Sequence, residues 1–337
     1  MNGIGINMNY IRLQDIAREV GISVNTVSKA LNGKPGVNQQ TRRRVLDVAE
    51  KMNYKPNYLA RSLRGMSSNI IGVIVDDADS PYFIEVVKGI NDEALELGYY
   101  VFLFNSGMSR ERELMALEML QRIRVKGIIL HPTELDEEMI SHIDKAVVPI
   151  VMIDVVNNNL KFDNVCNDDR LGMKEITRLV LSQSYHNIVF LNIRENSAPA
   201  TERLAGVYDA LTETGKDKST IKVYSNTHKN AYGLTRGLML QPNRPDCLLC
   251  ANDMVATQAM EAIFDVGLSI PDDVAITGYD DVPYARVLRV PLTTVSQPKV
   301  LAGSQCVSLL HQRIQSTGPD HPVRLILKPE IIARKST

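Results

Sequence analysis

Cysteine is scarce in this chain of 337 residues, and long apolar runs are missing altogether. Its 4 cysteines are too few for a disulfide-stapled scaffold of this length. No apolar stretch approaches the roughly 18 residues that a membrane-spanning helix needs. The first residues contain no basic segment leading into an apolar core, so we find no secretory signal. We therefore expect a cytoplasmic protein with no membrane partner.

Motifs for metal binding and catalysis are also missing. Cys247 and Cys250 form a lone CxxC in an apolar run that is typical of a strand. Residues three apart on a strand face opposite sides, so one metal ion would hardly bind both. The sequence has no second CxxC, no P-loop and no nucleophile elbow, and Gly3 and Gly5 lack the strand and third glycine of a dinucleotide fingerprint. We therefore expect no cofactor, no metal and no enzymatic activity.

A net charge of −1 hides a strong asymmetry along the chain. Residues 1–67 contain 11 Lys and Arg but only 4 Asp and Glu, which gives this part a charge of +7. The remaining residues contain 27 basic and 35 acidic side chains, which gives −8. A basic N-terminal part followed by an acidic body indicates that a polyanion binds at one end only.

The basic part has the pattern of a helix-turn-helix. Apolar residues recur at helical spacing over residues 13–20, and Gly21 then ends the helix. Ser23 is a good N-cap for a second helix that runs to residue 31, and a third helix is predicted from about residue 38 to residue 52. In this motif the second helix enters the major groove of DNA.

Polar side chains cover the predicted outer face of the second helix. They can donate to and accept from base edges, and a lysine there can reach a guanine. Ser23 and the free N–H groups at the helix start suit a phosphate oxygen. The outward residues are Asn25, Thr26, Ser28 and Lys29. The alternative is a three-helix protein-binding module, which the polar face and the charge of +7 disfavour.

Residues 58–67 are predicted to form a hinge helix. A helix this short is marginal in water, so we expect it to fold only against a partner or DNA. Leu63 lies between Arg61 and Arg64, and an apolar wedge flanked by Arg can open and bend a minor groove. The alternative is a flexible linker whose leucine packs on the body.

From residue 69 onward, apolar strands alternate with amphipathic helices, beginning with a continuous apolar run at residues 70–75. Two successive series of this kind predict two doubly wound parallel-sheet lobes. The second series includes a helix over residues 202–214, which Arg203 opens. The predicted fold is an all-α three-helix head (1–57) with a hinge helix, joined to an α/β sensor (68–337) whose lobes are linked by several crossovers.

Polar residues follow several of these strands. Asp76 comes directly after the first strand, and Asn252 and Asp280 follow two later ones. Ligands of doubly wound sheets bind beyond the carboxyl ends of the strands, so a cleft between two lobes collects such residues from both. Carboxylates and amides can hold neighbouring hydroxyls, and rings such as Tyr82 and Phe83 can pack on a sugar face or stack on a base. Together they predict a small-molecule site.

The head resembles the lactose-repressor/galactose-repressor (LacI/GalR) family of transcriptional regulators, and the resemblance covers the whole head without a gap. The motifs are LQDIAR (13–18), VGISVNTVSKALNG (20–33), VNQQTR (37–42), NYKPN (53–57) and ARSL (60–63). The body resembles the sensor domain of the same family and the related periplasmic sugar-binding proteins. Its markers are SPYF (80–83), ERLAG (202–206), AND (251–253), GYDD (278–281) and LTTVSQP (292–298).

The resemblance assigns roles to individual residues. It implies base reading by Val24, Asn25 and Lys29. It implies minor-groove insertion by Leu63, and packing of two hinge helices across a dimer through Ala60. Phosphate contacts are implied for Ser23, Asn32, Asn38, Thr41, Tyr54 and Asn57. Effector contacts are implied for Tyr82, Phe83, Arg203, Asn252, Asp280 and Gln297.

The sequence therefore predicts a homodimeric transcription regulator, most simply a repressor, that binds a near-palindromic double-stranded DNA operator under the control of a small-molecule effector. A sugar or sugar derivative is the first expectation for the effector, and a purine-like base is the second. Many sugar-binding relatives have Asn where this chain has Ser80, His228 occupies a position often held by a stacking aromatic, and the chain has no Trp. The rival function is that of a periplasmic-type sugar-binding protein, which the basic head opposes.

Overall fold

A computed structural model of the protein describes residues 11–54, 69–155, 161–195 and 197–337. The chain divides into two units, Met1–Met66 and Ser67–Thr337. The predicted hinge helix, with Ala60 and Leu63, lies outside the described residues, as does Asn57.

The described part of the first unit, residues 11–54, contains three helices, α1 (Leu13–Val20), α2 (Val24–Leu31) and α3 (Gln39–Lys51). Gly21 ends α1 in the left-handed conformation, with a φ of 76° that favours glycine, and its N–H donates to the carbonyl of Ala17 at 3.0 Å. The Ser23 hydroxyl accepts the N–H of Thr26 at 3.1 Å and so begins α2. These two residues place α1 and α2 where the sequence predicts them.

A small apolar core holds the three helices together. Ile16, Val27 and Val45, one from each helix, have no exposed surface. The other buried members of this core are Ala17, Val20, Ala30 and Ala49. With so few buried side chains, the stability of the unit depends strongly on each of them.

The second unit begins with a six-stranded parallel sheet, which we call the N-lobe. Its strands are β1 (Ile70–Val75), β2 (Tyr100–Asn105), β3 (Ile128–Leu130), β4 (Ile150–Ile153), β5 (Asp163–Asn167) and β11 (Arg324–Leu327). Their order in the sheet is β11-β5-β4-β3-β1-β2. Its helices are α4 (Pro81–Glu96), α5 (Arg110–Arg122), α6 (Glu137–Asp144) and α11 (Lys299–Ile314). Buried apolar side chains fill both faces of this sheet, as expected for parallel strands.

A four-stranded parallel sheet forms the other half, which we call the C-lobe. Its strands are β6 (Ile188–Leu191), β7 (Ile221–Tyr224), β8 (Cys247–Cys250) and β9 (Ala275–Thr277), in the order β7-β6-β8-β9. Its helices are α7 (Asp169–Leu181), α8 (Ala198–Glu213), α9 (Ala231–Met239) and α10 (Asp253–Asp265). Cys247 and Cys250 contribute to separate clusters on opposite faces of β8, which confirms the predicted geometry.

The chain passes between the lobes at residues 167–169, 296–299 and 327–330. Two short antiparallel strands, β10 (Thr294–Ser296) and β12 (Glu330–Ile332), pair beside these crossings. The two doubly wound parallel-sheet lobes confirm the predicted fold class of the sensor.

Helices α4 and α11 pack closely on the N-lobe sheet. A side chain at Gly89 would clash with the backbone carbonyl of Val300, and one at Gly303 would clash with that of Val86. Glycine at both positions therefore lets the two helix backbones approach each other.

The start of helix α8 and the presence of strand β5 differ from the sequence-based expectation. Helix α8 begins at Ala198, so Arg203 lies inside the helix instead of opening it. The reason is local, because Ser197 caps the helix and Pro199 occupies its first turn, where a missing N–H costs nothing. Strand β5 was not predicted, because its sequence DNVCN is mostly polar although the whole strand is buried.

Candidate DNA interface and effector cleft

The predicted recognition surface of the head is the outer side of α2. Asn25 and Lys29 are exposed there, as the sequence predicts for residues that read base edges. Thr26 and Ser28 are half-buried, and the Thr26 hydroxyl lies 2.8 Å from that of Ser23. Val24 is half-buried and packs against the core of the head, so only part of its side chain can contact a base.

The residues predicted to contact phosphates lie mostly at helix ends. Ser23 begins α2 and Asn38 begins α3, where the side-chain oxygen of Asn38 accepts the N–H of Thr41 at 2.7 Å. The unpaired N–H groups of a helix start attract anions. At the other end of α2, the Asn32 amide donates to the carbonyl of Ser28 at 2.7 Å. Tyr54 is half-buried and packs against the core of the head.

A cleft of about 560 Å³ lies between the two lobes of the sensor. The structure brings all the residues predicted to contact the effector to this one cleft. They are Tyr82 and Phe83 of the N-lobe, Arg203, Asn252 and Asp280 of the C-lobe, and Gln297 at a crossover. Its volume lies within the usual range for small-molecule sites.

Asp280 is held on the C-lobe side of the cleft by neighbouring polar groups. The Gln297 amide donates to its Oδ1 atom at 2.7 Å, and an Nη2 atom of Arg203 lies 3.6 Å from the same oxygen. Burial raises the pKa of Asp280 to about 7, although the charge of Arg203 acts in the opposite direction. Its protonation state is therefore sensitive to any ligand that donates a hydrogen bond.

The guanidinium of Arg203 is fully engaged within the protein. Its Nε atom donates to Oδ1 of Asp169 at 2.9 Å, and Nη1 donates to the carbonyl of Ala251 at 2.5 Å. It also lies over the ring of Tyr279, 4.0 Å from the ring centroid. Arg203 is only 5% exposed, so it organises the cleft wall as well as lining it.

On the N-lobe side, Tyr82 belongs to a buried hydrogen-bond network. Its hydroxyl donates to a carboxylate oxygen of Asp154. The Asn167 amide donates to the Tyr82 hydroxyl at 2.9 Å and to Asp154 at 3.1 Å. Burial raises the pKa of Asp154. The network fixes the Tyr82 ring, because every member has its position set by the other two.

Asn252 and Asp253 have different roles although they are adjacent. Asn252 lines the cleft and caps α10 by accepting the N–H of Val255 at 2.8 Å. Asp253 is completely buried behind it, where it accepts the hydroxyl of Thr294 at 2.6 Å and the N–H of Val282 at 2.9 Å. Burial raises the pKa of Asp253 to about 6. Its contacts are those of a structural residue that holds the C-lobe loops together.

Sequence reasoning missed His131, which lines the N-lobe side of the cleft. Its Nδ1 atom lies 3.1 Å from Oδ1 of Asp76, and its ring packs edge-on against Phe83 with centroids 4.8 Å apart. Burial lowers the pKa of His131, whereas the charge of Asp76 raises it, and the net shift is upward. His131 follows β3 and Asp154 follows β4. Both could have been predicted as cleft residues, because ligands of doubly wound sheets bind beyond the carboxyl ends of the strands.

Arg194 bridges the two lobes across the cleft. It follows β6 of the C-lobe, and its Nη2 atom donates at 2.9 Å to the carbonyl of Thr133, which follows β3 of the N-lobe. The Thr133 N–H in turn donates at 3.0 Å to Glu113, a buried residue of α5. Burial raises the pKa of Glu113 to about 7.

Lys299 connects the lobes at the crossover behind the cleft. Its ammonium donates to the backbone carbonyls of Asp280 and Asp281 and lies 2.9 Å from a carboxylate oxygen of Glu85 on α4. Asp280 and Asp281 have φ values of 114° and 50°, a region that non-glycine residues rarely adopt. The ammonium therefore stabilises a strained loop, and the Asp280 side chain of this loop faces the cleft.

Two sequence-family models match the chain. One, described as periplasmic binding proteins and sugar binding domain of LacI family, matches residues 68–335. The other, described as bacterial regulatory proteins of the lacI family, matches residues 12–57. The chain belongs to the LacI/GalR family. Because its members are transcriptional regulators, the protein is a DNA-binding transcription regulator with an effector-binding domain.

Similar proteins agree with this assignment over nearly the whole chain. The transcriptional repressor PurR of Haemophilus influenzae strain PittEE is 30% identical over 329 residues, which are 96% of this chain and 98% of the relative. The transcriptional regulator RegA of Clostridium saccharobutylicum is 28% identical, with the same coverage. A crystal structure of the Lac repressor dimer bound to operator and the anti-inducer ONPF has 27% identity and a TM-score of 0.84, covering 97% of this chain and 99% of that one.

The described residues contain no helix long and apolar enough to cross a membrane. In the same part of the chain, no group of three or more His, Cys, Asp or Glu side chains is placed to hold a metal ion.

Proposed function

We propose that the protein is a cytoplasmic repressor that binds a near-palindromic DNA operator as a homodimer, under the control of a small molecule held between the sensor lobes. The observation that carries this proposal is the cleft, which gathers every predicted effector residue from two lobes and a crossover. The proposed organisation is a head (1–57), a hinge (58–67) and a sensor (68–337). We assign it no catalytic step.

The proposed base contacts are Asn25 and Lys29, with a smaller contribution from Val24. The first two are exposed on the recognition helix, whereas Val24 is half-buried. Phosphate contacts are proposed at the starts of α2 and α3 through Ser23 and Asn38, supported by their position at helix N-termini. The proposed insertion of Leu63 into the minor groove rests on the sequence.

The homodimer is supported by the similar Lac repressor dimer and by an exposed edge strand. Strand β2 lies at the edge of the N-lobe sheet and exposes Tyr100, Phe102 and Leu103, which are 57%, 39% and 41% exposed. Large apolar side chains on the edge strand of a sheet invite association with a second strand or copy. We therefore propose β2 as part of the dimer contact.

A sugar or sugar derivative is the effector that the geometry favours. Carboxylates and amides such as Asp280, Asn252 and Gln297 line one wall and suit paired hydroxyls. A purine-like base is the second candidate, favoured by the rings of Tyr82 and Phe83 on the opposite wall. Those rings are only 9% and 7% exposed, so they offer little open face for stacking a base.

Selection of duplex DNA from a random library tests the regulatory function. Full-length protein should enrich a near-palindromic sequence, and its affinity for that sequence should fall steeply with salt as phosphate contacts release counterions. Thermal-shift measurements against sugars and nucleobases test the cleft, because a ligand that binds only the folded state raises the melting temperature. Failure to enrich any sequence would contradict the proposal.

A further inference from the structure

The cleft contains an excess of acidic groups. Among the described residues that line it, seven side chains are carboxylates and two are guanidiniums, and two more are histidines. The carboxylates are Asp76, Asp77, Glu134, Asp154, Asp169, Glu202 and Asp280. The guanidiniums are Arg194 and Arg203, and the histidines are His131 and His228.

The more buried of the two guanidiniums is already matched by protein carboxylates. The guanidinium of Arg203 lies 2.9 Å from Asp169 and 3.6 Å from Asp280. It therefore has no unbalanced charge with which to attract an anionic ligand. Arg194, which also belongs to the C-lobe, donates to the carbonyl of Thr133 on the N-lobe side of the cleft.

Asp76 and His131 supply polar atoms that still lack a well-aligned partner. Oδ1 of Asp76 and Nδ1 of His131 are buried and lie 3.1 Å apart, but neither has the alignment of a hydrogen bond. Asp76 is 9% exposed, and both residues line the cleft. The pair therefore leaves hydrogen-bonding capacity on the Asp76 oxygen, to which a ligand hydroxyl or amine can donate.

Resting on the proposed function, we infer that the effector carries no negative charge, and that it donates a hydroxyl or amine hydrogen to Asp76 in the N-lobe half of the cleft. Uncharged polyols and protonated amino sugars meet these requirements. Sugar phosphates and sugar acids do not, because their negative charge would enter a cleft that is already rich in carboxylates.

The charge of the cleft can be measured without knowing the effector. All four native cysteines are buried, so a cysteine introduced by Met254→Cys at the cleft wall is the main reactive thiol. The rate of its modification by a trimethylammonium-bearing methanethiosulfonate is divided by the rate with the sulfonate-bearing analogue. The ratio cancels any change in the pKa of the thiol, since both reagents attack the same thiolate.

Leu240→Cys is the matched control, because Leu240 is an exposed residue of the C-lobe that does not line the cleft. We expect the cation-to-anion rate ratio of the Met254→Cys variant to exceed that of the control by on the order of tenfold at low salt. Asp76→Asn in the Met254→Cys background should lower the ratio. Equal ratios in the cleft and control variants would overturn the inference.

A second arm tests the ligand class with matched compounds, namely galactose, galactosamine and galactose 6-phosphate, and the corresponding glucose series. Protection of the Met254→Cys thiol locates a bound compound in the cleft, which matters because anions can also bind the basic head. Every protecting compound should be uncharged or an amine, and Asp76→Asn should weaken protection at least tenfold. Protection by a phosphate overturns the inference. A large rate ratio with no protection by any sugar counts instead against the proposed sugar effector.

Discussion

Arg203 is the side chain whose removal should destabilise the sensor most specifically. In the variant Arg203→Met, the side chain keeps much of its apolar length, but the charge that faces Asp169 at 2.9 Å and Asp280 at 3.6 Å is lost. All three side chains are at most 10% exposed. Breaking a buried ion pair by removing one partner costs about 3–5 kcal/mol, because the remaining charge has neither water nor a counterion.

The stability that the Arg203→Met variant loses should depend on pH in a defined direction. The pKa of Asp280 in the folded protein is about 7, above its value of about 3.9 in an unfolded chain. Protonated Asp280 therefore favours the folded state at low pH, and this contribution is lost as the pH rises through 7. Removing Arg203 raises the pKa of Asp280 further, so the variant should lose less stability at pH 5.5 than at pH 8.5.

Arg170→Met is the matched control. Arg170 and Asp209 form an ion pair at 2.6 Å, but their side chains are 52% and 33% exposed, so its loss should cost less than about 1 kcal/mol. Urea unfolding of the full-length variants, followed by circular dichroism at both pH values, measures the difference. Amide hydrogen exchange assigns it to the sensor. Equal losses in the two variants, or a loss in Arg203→Met that does not change with pH, would refute the reasoning.

Three further outcomes are expected. Ile16→Ala should lower the free energy of unfolding of the head by about 2–5 kcal/mol and abolish DNA binding, while the sensor stays folded. Leu46→Ala, at a site 47% exposed, should have neither effect. Hydrogen exchange measures the stability of both variants, and DNA titration measures their binding. Asn25→Ala should cost about 1–3 kcal/mol of operator affinity and relax base preference at one position, as measured by competition with point-substituted duplexes; an equal loss on random DNA would contradict base reading. Phe102→Lys should shift the protein towards monomer in sedimentation velocity, and Leu240→Lys should not; an unchanged dimer would exclude β2 from the contact.

The helix-turn-helix could be predicted from sequence because its boundaries are set locally. Gly21 ends α1 through a left-handed backbone conformation, and Ser23 begins α2 through one side-chain hydrogen bond. Both signals act within a few residues, so no tertiary contact is needed to read them. The same reasoning failed at α8, where the true start is set by Ser197 and the proline that follows it.

Elements that depend on distant contacts were harder to predict. Strand β5 is polar in sequence, and its polar groups find distant partners: Asp163 pairs with Arg313 of α11, far along the chain. The Asn164 amide donates to the carbonyl of Val155 at 2.6 Å. Such partners satisfy the polar groups of a buried strand, and a local pattern does not reveal them.

The cleft was predictable in position but only partly in composition. Asn252 and Asp280 follow strands that are apolar in sequence, and the structure places both in the cleft. His131 obeys the same rule and was overlooked. The ion pair between Arg203 and Asp169 could not be predicted from sequence either, because it depends on how α7 packs against α8. That match favours an uncharged or cationic ligand over an anion.

We propose that a small molecule in the cleft controls DNA binding by the head. The most direct test measures DNA affinity with and without a saturating cleft ligand, and ligand affinity with and without saturating DNA, all on full-length protein. Linkage requires the two affinity ratios to be equal, and we expect a factor of about 5 to 150 in whichever direction the ligand acts. A cleft ligand that changes DNA affinity by less than twofold would contradict the account.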